Sequence, residues 1–209
     1  MMNLSLSRLL APDTASLEHL AALAESLGSA LDHVAQLMGA SPTTAAEVEA
    51  KLAGLDSEST SRHMALLTSL RSSFITPLPR QDLYAVADGL NNAVQKVCNA
   101  GLLIIATEQF RLPSEAMDIL ENLGRQAELL QEATSQFRSF DELEETWIQL
   151  QRNSKRAERF MTQWVAGMTG DLLQRSYNRQ RESAHAIEAV IVAVRQITVH
   201  VGSILVQES

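Results

Sequence analysis

The chain has 209 residues, 45% of them hydrophobic, and a formal net charge of −8. This length fits one domain or two small ones, and the acidic balance argues against broad nucleic-acid binding, which needs a basic surface. The single cysteine, Cys98, excludes an internal disulfide framework and suits a reducing compartment. No uninterrupted apolar run reaches about 18 residues, and residues 1–10 are too weakly apolar for a secretory signal. We therefore expect a cytoplasmic protein without a membrane span.

Two helices are predicted in the first third of the chain, because apolar residues recur there at alternating spacings of three and four. The first run of such residues extends over 17–38 and the second over 48–70, with residues 39–44 between them. Thr44 and Glu47 have the spacing of a capping box, so we predict Thr44 as the N-cap of the second helix.

The next two predicted helices are each preceded by a proline. A run over 83–104 follows Pro79, which suits the first turn of a helix because its missing N–H has no helical partner there. Pro113 then biases Leu112 away from the helical conformation, and a further run extends over 117–137. We expect two helices separated by a break at the second proline.

The last two predicted helices form a long hairpin. Their apolar runs extend over 143–168 and 173–205, and Ser139 or Asp141 is the expected N-cap of the first. β-Branched residues crowd 190–201, and this stretch by itself also resembles a strand. The unbroken three–four spacing of the whole run favours a helix instead.

These elements predict an all-α protein with six helices, several of them about 25 to 35 residues long. Short connections make successive helices antiparallel. We expect a single domain over 1–209, an elongated bundle built from two antiparallel three-helix halves of about 1–111 and 112–209. Long amphipathic helices also favour a homo-oligomer, with a dimer as the first expectation, although every apolar seam can be satisfied within one chain.

No pattern typical of catalysis occurs in the sequence, which has no glycine-rich phosphate loop, no GxSxG, no HExxH and no CxxC. No two of the five histidines lie three or four residues apart on one helix, the spacing that directs two imidazoles to one metal ion. Cys98 lies in an apolar stretch, where packing explains it better than reactivity. The acidic residues within 141–145 lie at a predicted helix start, where the helix dipole stabilises negative charge. We therefore expect no enzyme, no catalytic residue and no cofactor.

Basic residues are concentrated on both sides of the predicted turn between the fifth and sixth helices, where only Glu158 and Asp171 oppose them. A solvated basic face explains them. If they converge on one end of the hairpin, they form instead a site for an anion or an acidic partner, since the rest of the chain is strongly acidic. The candidates for such a site are Arg152, Lys155, Arg156, Arg159, Arg175, Arg179 and Arg181.

The stretch FITPLPRQDLYAVADGL, residues 74–90, carries more than helical periodicity. It resembles the joint between the second and third helices in a family of phosphate transport regulators distantly related to PhoU. The matching residues are Phe74, Ile75, Thr76, Pro77, Arg80, Asp82 and Tyr84. Pro79 and Gln81 stand where that family has Asp and Glu, and outside this stretch the resemblance is one of architecture. It implies a PhoU-like six-helix bundle in the cytoplasm.

The resemblance also implies metal sites, because relatives bind metal ions, often iron or zinc clusters, through carboxylates four residues apart on one helix face. The corresponding positions here are Asp56, Thr60, Asn91, Asn92, Gln95, Gln151, Lys155, Arg179 and Glu182. Most are amides or cations; an amide cannot offset a divalent charge, and a lysine repels it. We therefore predict that the metal sites are lost and that Lys155 or Arg179 pairs with acids such as Glu182 or Glu158 in place of the metal.

Three functions remain open at this point. The resemblance and the missing catalytic patterns favour a non-catalytic regulator or adaptor in phosphate transport or a phosphate-responsive pathway. Its expected partner is a phosphate permease, which would hold the chain at the cytoplasmic side of the inner membrane, and nucleic acid is not expected as a partner. The alternatives are an anion-binding bundle that uses the basic residues and a purely structural, oligomerising bundle without a phosphate link.

Overall fold

The computed structural model describes residues 15–168 and 173–208; residues 1–10 and Asp171, considered above, lie outside these ranges. Within the described ranges all regular structure is helical, with six helices and no strand. The helices are α1 (Ala15–Ala35), α2 (Pro42–Ser72), α3 (Arg80–Ala106), α4 (Ser114–Gln136), α5 (Phe140–Gly167) and α6 (Gln174–Glu208). The predicted all-α class is confirmed, and the β-branched stretch 190–201 is helical.

The start of α2 differs from the prediction, because Ser41 rather than Thr44 caps the helix. The Ser41 hydroxyl accepts a hydrogen bond from the backbone N–H of Thr44 at 3.2 Å, and Pro42 occupies the first helical position. A capping serine followed at once by proline starts the helix three residues, less than one turn, before the threonine. Thr44 and Glu47 therefore lie inside the helix, and the predicted capping box is wrong. At α5 the N-cap residue is Ser139, but its side chain makes no capping bond.

The helices pack through a small number of large contacts. Each of α1, α2 and α3 packs against the other two, and α5 packs against both α4 and α6. In addition α1 packs against α4 and α3 against α6, whereas α4 and α6 meet only slightly. Every helix therefore buries one face or more in a shared core.

The directions of the helices follow from individual contacts. On α2 and α3, Leu52 contacts Cys98 and His63 approaches Asp88, so residue numbers rise on one helix as they fall on the other. The same opposite order holds for α3 with α6, for α4 with α5 and for α5 with α6. The contacts that establish it are Asp82 with His200, Gly89 with Ile197, Asn122 with Asn153, Gln136 with Thr146, Trp147 with Thr198 and Glu158 with Arg195.

The core is built from the predicted apolar seams, and its largest fully buried side chains are Trp164 and Phe137. Two predicted seam residues depart from the pattern. Leu173 is 79% exposed because it precedes the first turn of α6, and Met117 is 36% exposed near the start of α4. Both lie near helix starts, where fewer neighbouring helices are available to cover a side chain.

The α1–α2 and α3–α4 connections meet at one end of the bundle. Gly39 has a φ of +74°, a conformation that side chains with a Cβ rarely adopt, and its N–H donates to the Phe110 carbonyl at 2.8 Å. This bond ties the two connections together, so the ends of α1 and α3 are held side by side.

Among the described residues α6 is the helix long and apolar enough to cross a membrane by length and composition, over Gln174–Gln207. In the bundle 44% of its most apolar 18-residue window is buried. The core helix of a soluble protein passes the same test, and α6 packs against α3 and α5.

Candidate functional site

The connection between α2 and α3, residues 73–79, is shaped by side-chain hydrogen bonds to its own backbone, and we call it the joint. The Ser73 hydroxyl donates to a carbonyl in the last turn of α2 at 2.8 Å. The Thr76 hydroxyl donates to the Leu78 carbonyl at 2.8 Å, and the Arg80 guanidinium donates to the Ser73 carbonyl at 2.6 Å. These bonds fix the path of the chain between the two helices.

Two residues just after the joint tie α3 to its neighbours. Asp82 is 6% exposed, and its carboxylate lies 3.3 Å from Nε2 of His200 on α6. This distance permits an ion pair when the histidine is protonated, although the atoms are not aligned as a hydrogen bond. The Tyr84 ring stacks on the His63 imidazole of α2 with centroids 5.8 Å apart. The polar and aromatic residues that follow the joint therefore have structural roles.

Phe74 has no such role. It is 85% exposed, more than any other large apolar residue in the described ranges. Between α2 and α3 lies an open groove of about 510 Å³, lined in part by Arg71, Arg80 and Tyr84, which are within ten residues of Phe74 in the sequence. Aromatic residues and arginine are the types enriched at the centres of protein interfaces. We call these four residues the joint surface, and they form the candidate binding site.

A chain of amides and hydroxyls joins α4 to α5 inside the bundle, and the sequence analysis missed it. The Ser154 hydroxyl donates to Gln126 Oε1 at 3.0 Å, and Gln126 Nε2 donates to Asn122 Oδ1 at 2.9 Å. Asn122 Nδ2 in turn donates to Asn153 Oδ1 at 3.0 Å. Gln126 is only 1% exposed, so these bonds replace the water that the amide loses on burial. The network fixes the register of two helices and offers no sequence signal, because its partners lie 28 and 31 residues apart.

On α2 and α3, the positions that correspond to metal ligands in the PhoU-like regulators lie at similar levels along the axis of the bundle. The register of these two helices brings Asp56 and Thr60 to the level of Gln95 and Asn91, respectively. Asn91 is buried with no hydrogen-bond partner for its Oδ1, whereas Thr60 is exposed. With one carboxylate among them, these positions supply a single negative charge against a divalent ion.

The remaining metal positions are farther apart. Gln151 and Lys155 lie on α5 at the level of the middle of α6, because Glu158 contacts Arg195. Arg179 and Glu182 lie near the start of α6, about 15 Å or more away along the helix axis at 1.5 Å per residue. In the described part of the chain no three His, Cys, Asp or Glu side chains are grouped so that they could hold a metal ion. The residues present do not fit the metal that the resemblance implies.

The ion pairs proposed to replace the metal also differ from those observed. Glu158 pairs with Arg195 across the α5–α6 contact, and Glu182 pairs with the adjacent Arg181 at 3.0 Å. Neither Lys155 nor Arg179 forms an ion pair within residues 15–168 and 173–208. The prediction is therefore wrong in its partners, since Arg195 lies directly opposite Glu158 on the neighbouring helix.

The basic residues do not converge on the hairpin turn. Four of them share one exposed stripe of α5, opposite its buried face: Arg152, Lys155, Arg156 and Arg159. The Arg156 guanidinium lies over the Phe160 ring at 5.2 Å from its centroid. Those of α6, Arg175, Arg179 and Arg181, lie in its first turns, well before Arg195, the α6 residue that pairs with Glu158 of α5. This placement favours the solvated basic face.

Cys98 is a packing residue. It is 2% exposed, and its thiol donates to the Leu52 carbonyl at 3.4 Å. Burial, and then the negative charge of Asp56, raise the pKa of Cys98 from 9.0 to about 11. The thiol is therefore protonated and unreactive at neutral pH, as a structural cysteine is.

Comparison with known proteins assigns no family to the chain. No protein-family model matches it, and no curated protein is significantly similar to it. The function has to be inferred from the joint surface and from the chemistry of its residues.

Proposed function

We propose that this chain is a non-catalytic regulatory or adaptor protein that binds a protein partner through the joint surface. The observation that carries the proposal is the 85% exposure of Phe74 on a connection held by the Thr76 and Arg80 hydrogen bonds. A side chain on a fixed backbone loses less conformational entropy when a partner covers it than one on a mobile loop. An exposed phenyl ring in this setting is therefore suited to bind into an apolar pocket.

The charges of the joint surface suggest the chemistry of the partner. Arg71 and Arg80 both line the groove between α2 and α3, and both lie within six residues of Phe74 in the sequence. They are cations in a chain of net charge −8. Planar guanidinium groups bind carboxylates through paired hydrogen bonds. The partner segment should therefore carry an apolar pocket for the ring and Asp or Glu residues beside it.

The link to phosphate transport rests on the resemblance of residues 74–84 to the PhoU-like regulators. Among the matching residues, Thr76, Arg80 and Tyr84 all make contacts that shape or support the joint, so the motif acts as one structural unit. The mutual packing of α1, α2 and α3 supports a three-helix first half, as in the PhoU-like arrangement, whereas in the second half α4 and α6 meet only slightly. On this proposal the partner is a cytoplasmic segment of a phosphate permease, which recruits the chain to the inner membrane.

The experiment compares two exposed apolar residues at opposite ends of the bundle. Phe74→Ala removes the proposed anchor, and Leu173→Ala removes a side chain of similar exposure, 79%, near the start of α6. Affinity-tagged wild type and both variants are used to capture detergent-solubilised membrane proteins from the native cell, and the recovered phosphate permease is quantified. We expect Phe74→Ala to lower recovery at least about tenfold, the cost of losing an interface hot spot, and Leu173→Ala to leave it unchanged.

Two results would count against the proposal in different ways. Equal permease recovery with Phe74→Ala and wild type would refute the joint surface as the binding site. Recovery of no permease by wild type, under conditions in which a known permease-binding protein recovers it, would refute the phosphate link.

Anion binding is the second candidate, and the exposed stripe Arg152, Lys155, Arg156 and Arg159 is the observation that favours it. Polyphosphate is the appropriate probe, because an extended polyanion can follow charges spread along a helix. If the stripe is a site, polyphosphate raises the melting temperature of wild type and not that of Lys155→Glu. An equal shift in both proteins, or none, would leave the stripe as a solvated face.

A further inference from the structure

The face of α6 that points away from the core is apolar in the middle of the helix. Val192 and Val199 are 49% and 58% exposed, and with Val165 of α5, 51% exposed, they border an open groove of about 910 Å³. The groove is also lined by Met161 and Ile191, which are 7% and 4% exposed. Apolar surface therefore continues from the exposed valines into the space between the helices. We call this surface the valine groove.

Packing within one chain does not account for the valine groove. The core contacts of α6 use other positions of the same segment, such as Val194, Ile197 and Val201, which are at most 1% exposed. The seven-residue interval from Val192 to Val199 instead places both side chains on one outward stripe, the repeat by which one helix packs lengthwise on another. A continuous exposed apolar surface of this kind marks an interaction site.

The charged residues around the groove of one copy are complementary to those around the groove of a second copy. Glu188 lies four residues before Val192, and Arg195 lies three residues after it, on the same outward face of α6. Their side chains are 55% and 58% exposed, so both can reach a second molecule. When two such helices run antiparallel and cross at Val192, Glu188 of each copy meets Arg195 of the other.

We propose that the valine groove joins two copies of this chain about a two-fold axis near Val192, with their α6 helices antiparallel. The surface is isologous, since the same patch supplies both sides of the contact. Val192 of each copy packs beside the axis against the groove of the other, whereas Val199 of each copy comes to the level of residues 184–185 of the other, at the end of the groove. Arg195, which already pairs with Glu158 in its own chain, then lies between two carboxylates.

Charge complementarity favours a second copy over a lipid surface. Glu158, Glu188 and Arg195 all line the groove, and acyl chains that covered the valines would have to desolvate these charges, since hydrocarbon offers no partner of opposite sign. A second copy supplies such partners to Glu188 and Arg195. This proposal uses a different surface from the joint, so the two stand or fall separately.

The first test measures self-association by sedimentation equilibrium at low salt over about 1–100 μM, the range in which modest interfaces dissociate. Val192→Glu places a charge in the apolar contact beside the axis, and Met64→Glu places the same charge on α2 at a site of similar exposure, 58% against 49%. We expect wild type and Met64→Glu to form dimers and Val192→Glu to associate at least about a hundredfold more weakly. Far-UV circular dichroism checks that all three are folded.

The second test uses the two-fold symmetry itself. In a Glu188→Arg dimer two arginines meet at each charge contact, and in an Arg195→Glu dimer two carboxylates meet, so each variant alone should associate about tenfold more weakly than wild type. A one-to-one mixture forms a heterodimer in which both contacts again join opposite charges. Mixing should therefore restore wild-type association. If Arg195→Glu weakened association only because it breaks the ion pair with Glu158 in the same chain, mixing would not restore it.

Several outcomes would overturn the proposal. Wild type that remains monomeric at about 100 μM, or Val192→Glu that dimerises like wild type, would refute the interface. Failure of the mixture to recover association would refute the antiparallel arrangement. Monomeric wild type that floats with phosphatidylcholine vesicles, when Val192→Glu does not, would assign the groove to lipid instead.

Discussion

Gly202 on α6 lies against the indole of Trp147 on α5, and this contact predicts the effect of adding one methyl group. A Cβ at Gly202 would meet Trp147 Nε1 at 2.7 Å and Cε2 at 3.0 Å, closer than side-chain atoms pack. The indole is rigid, and its N–H donates to the Thr198 carbonyl at 3.1 Å, so the ring cannot turn away without losing that bond. Gly202→Ala should therefore force α5 and α6 apart or break the hydrogen bond.

The expected change in the free energy of unfolding combines two destabilising terms and one stabilising term. Overpacking costs about 1–3 kcal/mol, and the lost hydrogen bond about 1 kcal/mol more. Replacing glycine by alanine inside a helix returns about 1 kcal/mol. The net expectation for Gly202→Ala is a destabilisation of about 1–3 kcal/mol, which lowers the melting temperature by about 2–4 °C per kcal/mol in a chain of this size.

The matched control is Gly124→Ala on α4, where an added Cβ meets no atom within 4 Å. Only the helix-propensity term acts there, so this variant should be more stable than wild type by about 0.5–1 kcal/mol. Thermal and urea denaturation followed by far-UV circular dichroism measure both variants. Our account of the α5–α6 contact is refuted if Gly202→Ala melts at or above the wild-type temperature while Gly124→Ala behaves as expected.

Three further predictions test the helix cap, the buried thiol and the amide network. Urea denaturation should show that Ser41→Ala costs about 1 kcal/mol and Thr44→Ala clearly less, because the serine hydroxyl is the cap; an equal loss in both would contradict this. Since the folded pKa of Cys98 is about 11 and the unfolded value 9.0, the unfolded state loses its proton first as the pH rises. The stabilisation from the protonated thiol is thus complete below pH 9 and is lost towards pH 11, so wild type should lose up to about 3 kcal/mol more than Cys98→Ala over this range; parallel pH profiles would argue against it. Ser154→Ala should lower the free energy of unfolding by about 1–3 kcal/mol, because it leaves the Gln126 carbonyl without its donor. The losses in Ser154→Ala and Gln126→Leu, added together, should exceed the loss in the double variant; strict additivity would show that the two side chains are not coupled.

The apolar spacing was sufficient to predict the six helices, because each helix must bury one stripe and the stripe repeats with the helical turn. On α5 the predicted seam is buried or half-buried throughout, and it ends in the buried residues Met161, Trp164 and Met168. The cap of α2 was mispredicted because Ser41 and Thr44 both have the chemistry of an N-cap, and the prediction followed the Thr44–Glu47 spacing instead of the proline directly after Ser41. Local patterns thus predicted the existence of helices better than their ends.

The candidate surfaces were harder to predict, because they depend on which neighbours each face acquires. On α6 the predicted seam contains Val194, which is buried, and leaves out Val192 and Val199, which are exposed. The spacing did not show that the two exposed valines border an open groove. The amide network joins Gln126 to Ser154 across two helices, and nothing local indicates the pairing. The matching residues of the joint were visible in the sequence, but the exposure of Phe74 was not.

The close approach of α6 to α3 has a consequence for how the protein is made. A Cβ at Gly89 would lie 2.8 Å from Cγ1 of Ile197, so α6 packs almost directly on the α3 backbone. These two helices are separated in the chain by α4 and α5, and a ribosome that adds about 5–20 residues per second needs several seconds to synthesise the intervening segment. During that interval the α3 face around Gly89 has no partner, and the nascent chain is there most open to chaperones and to aggregation. The yield of folded protein should therefore respond to the speed of translation between α3 and α6.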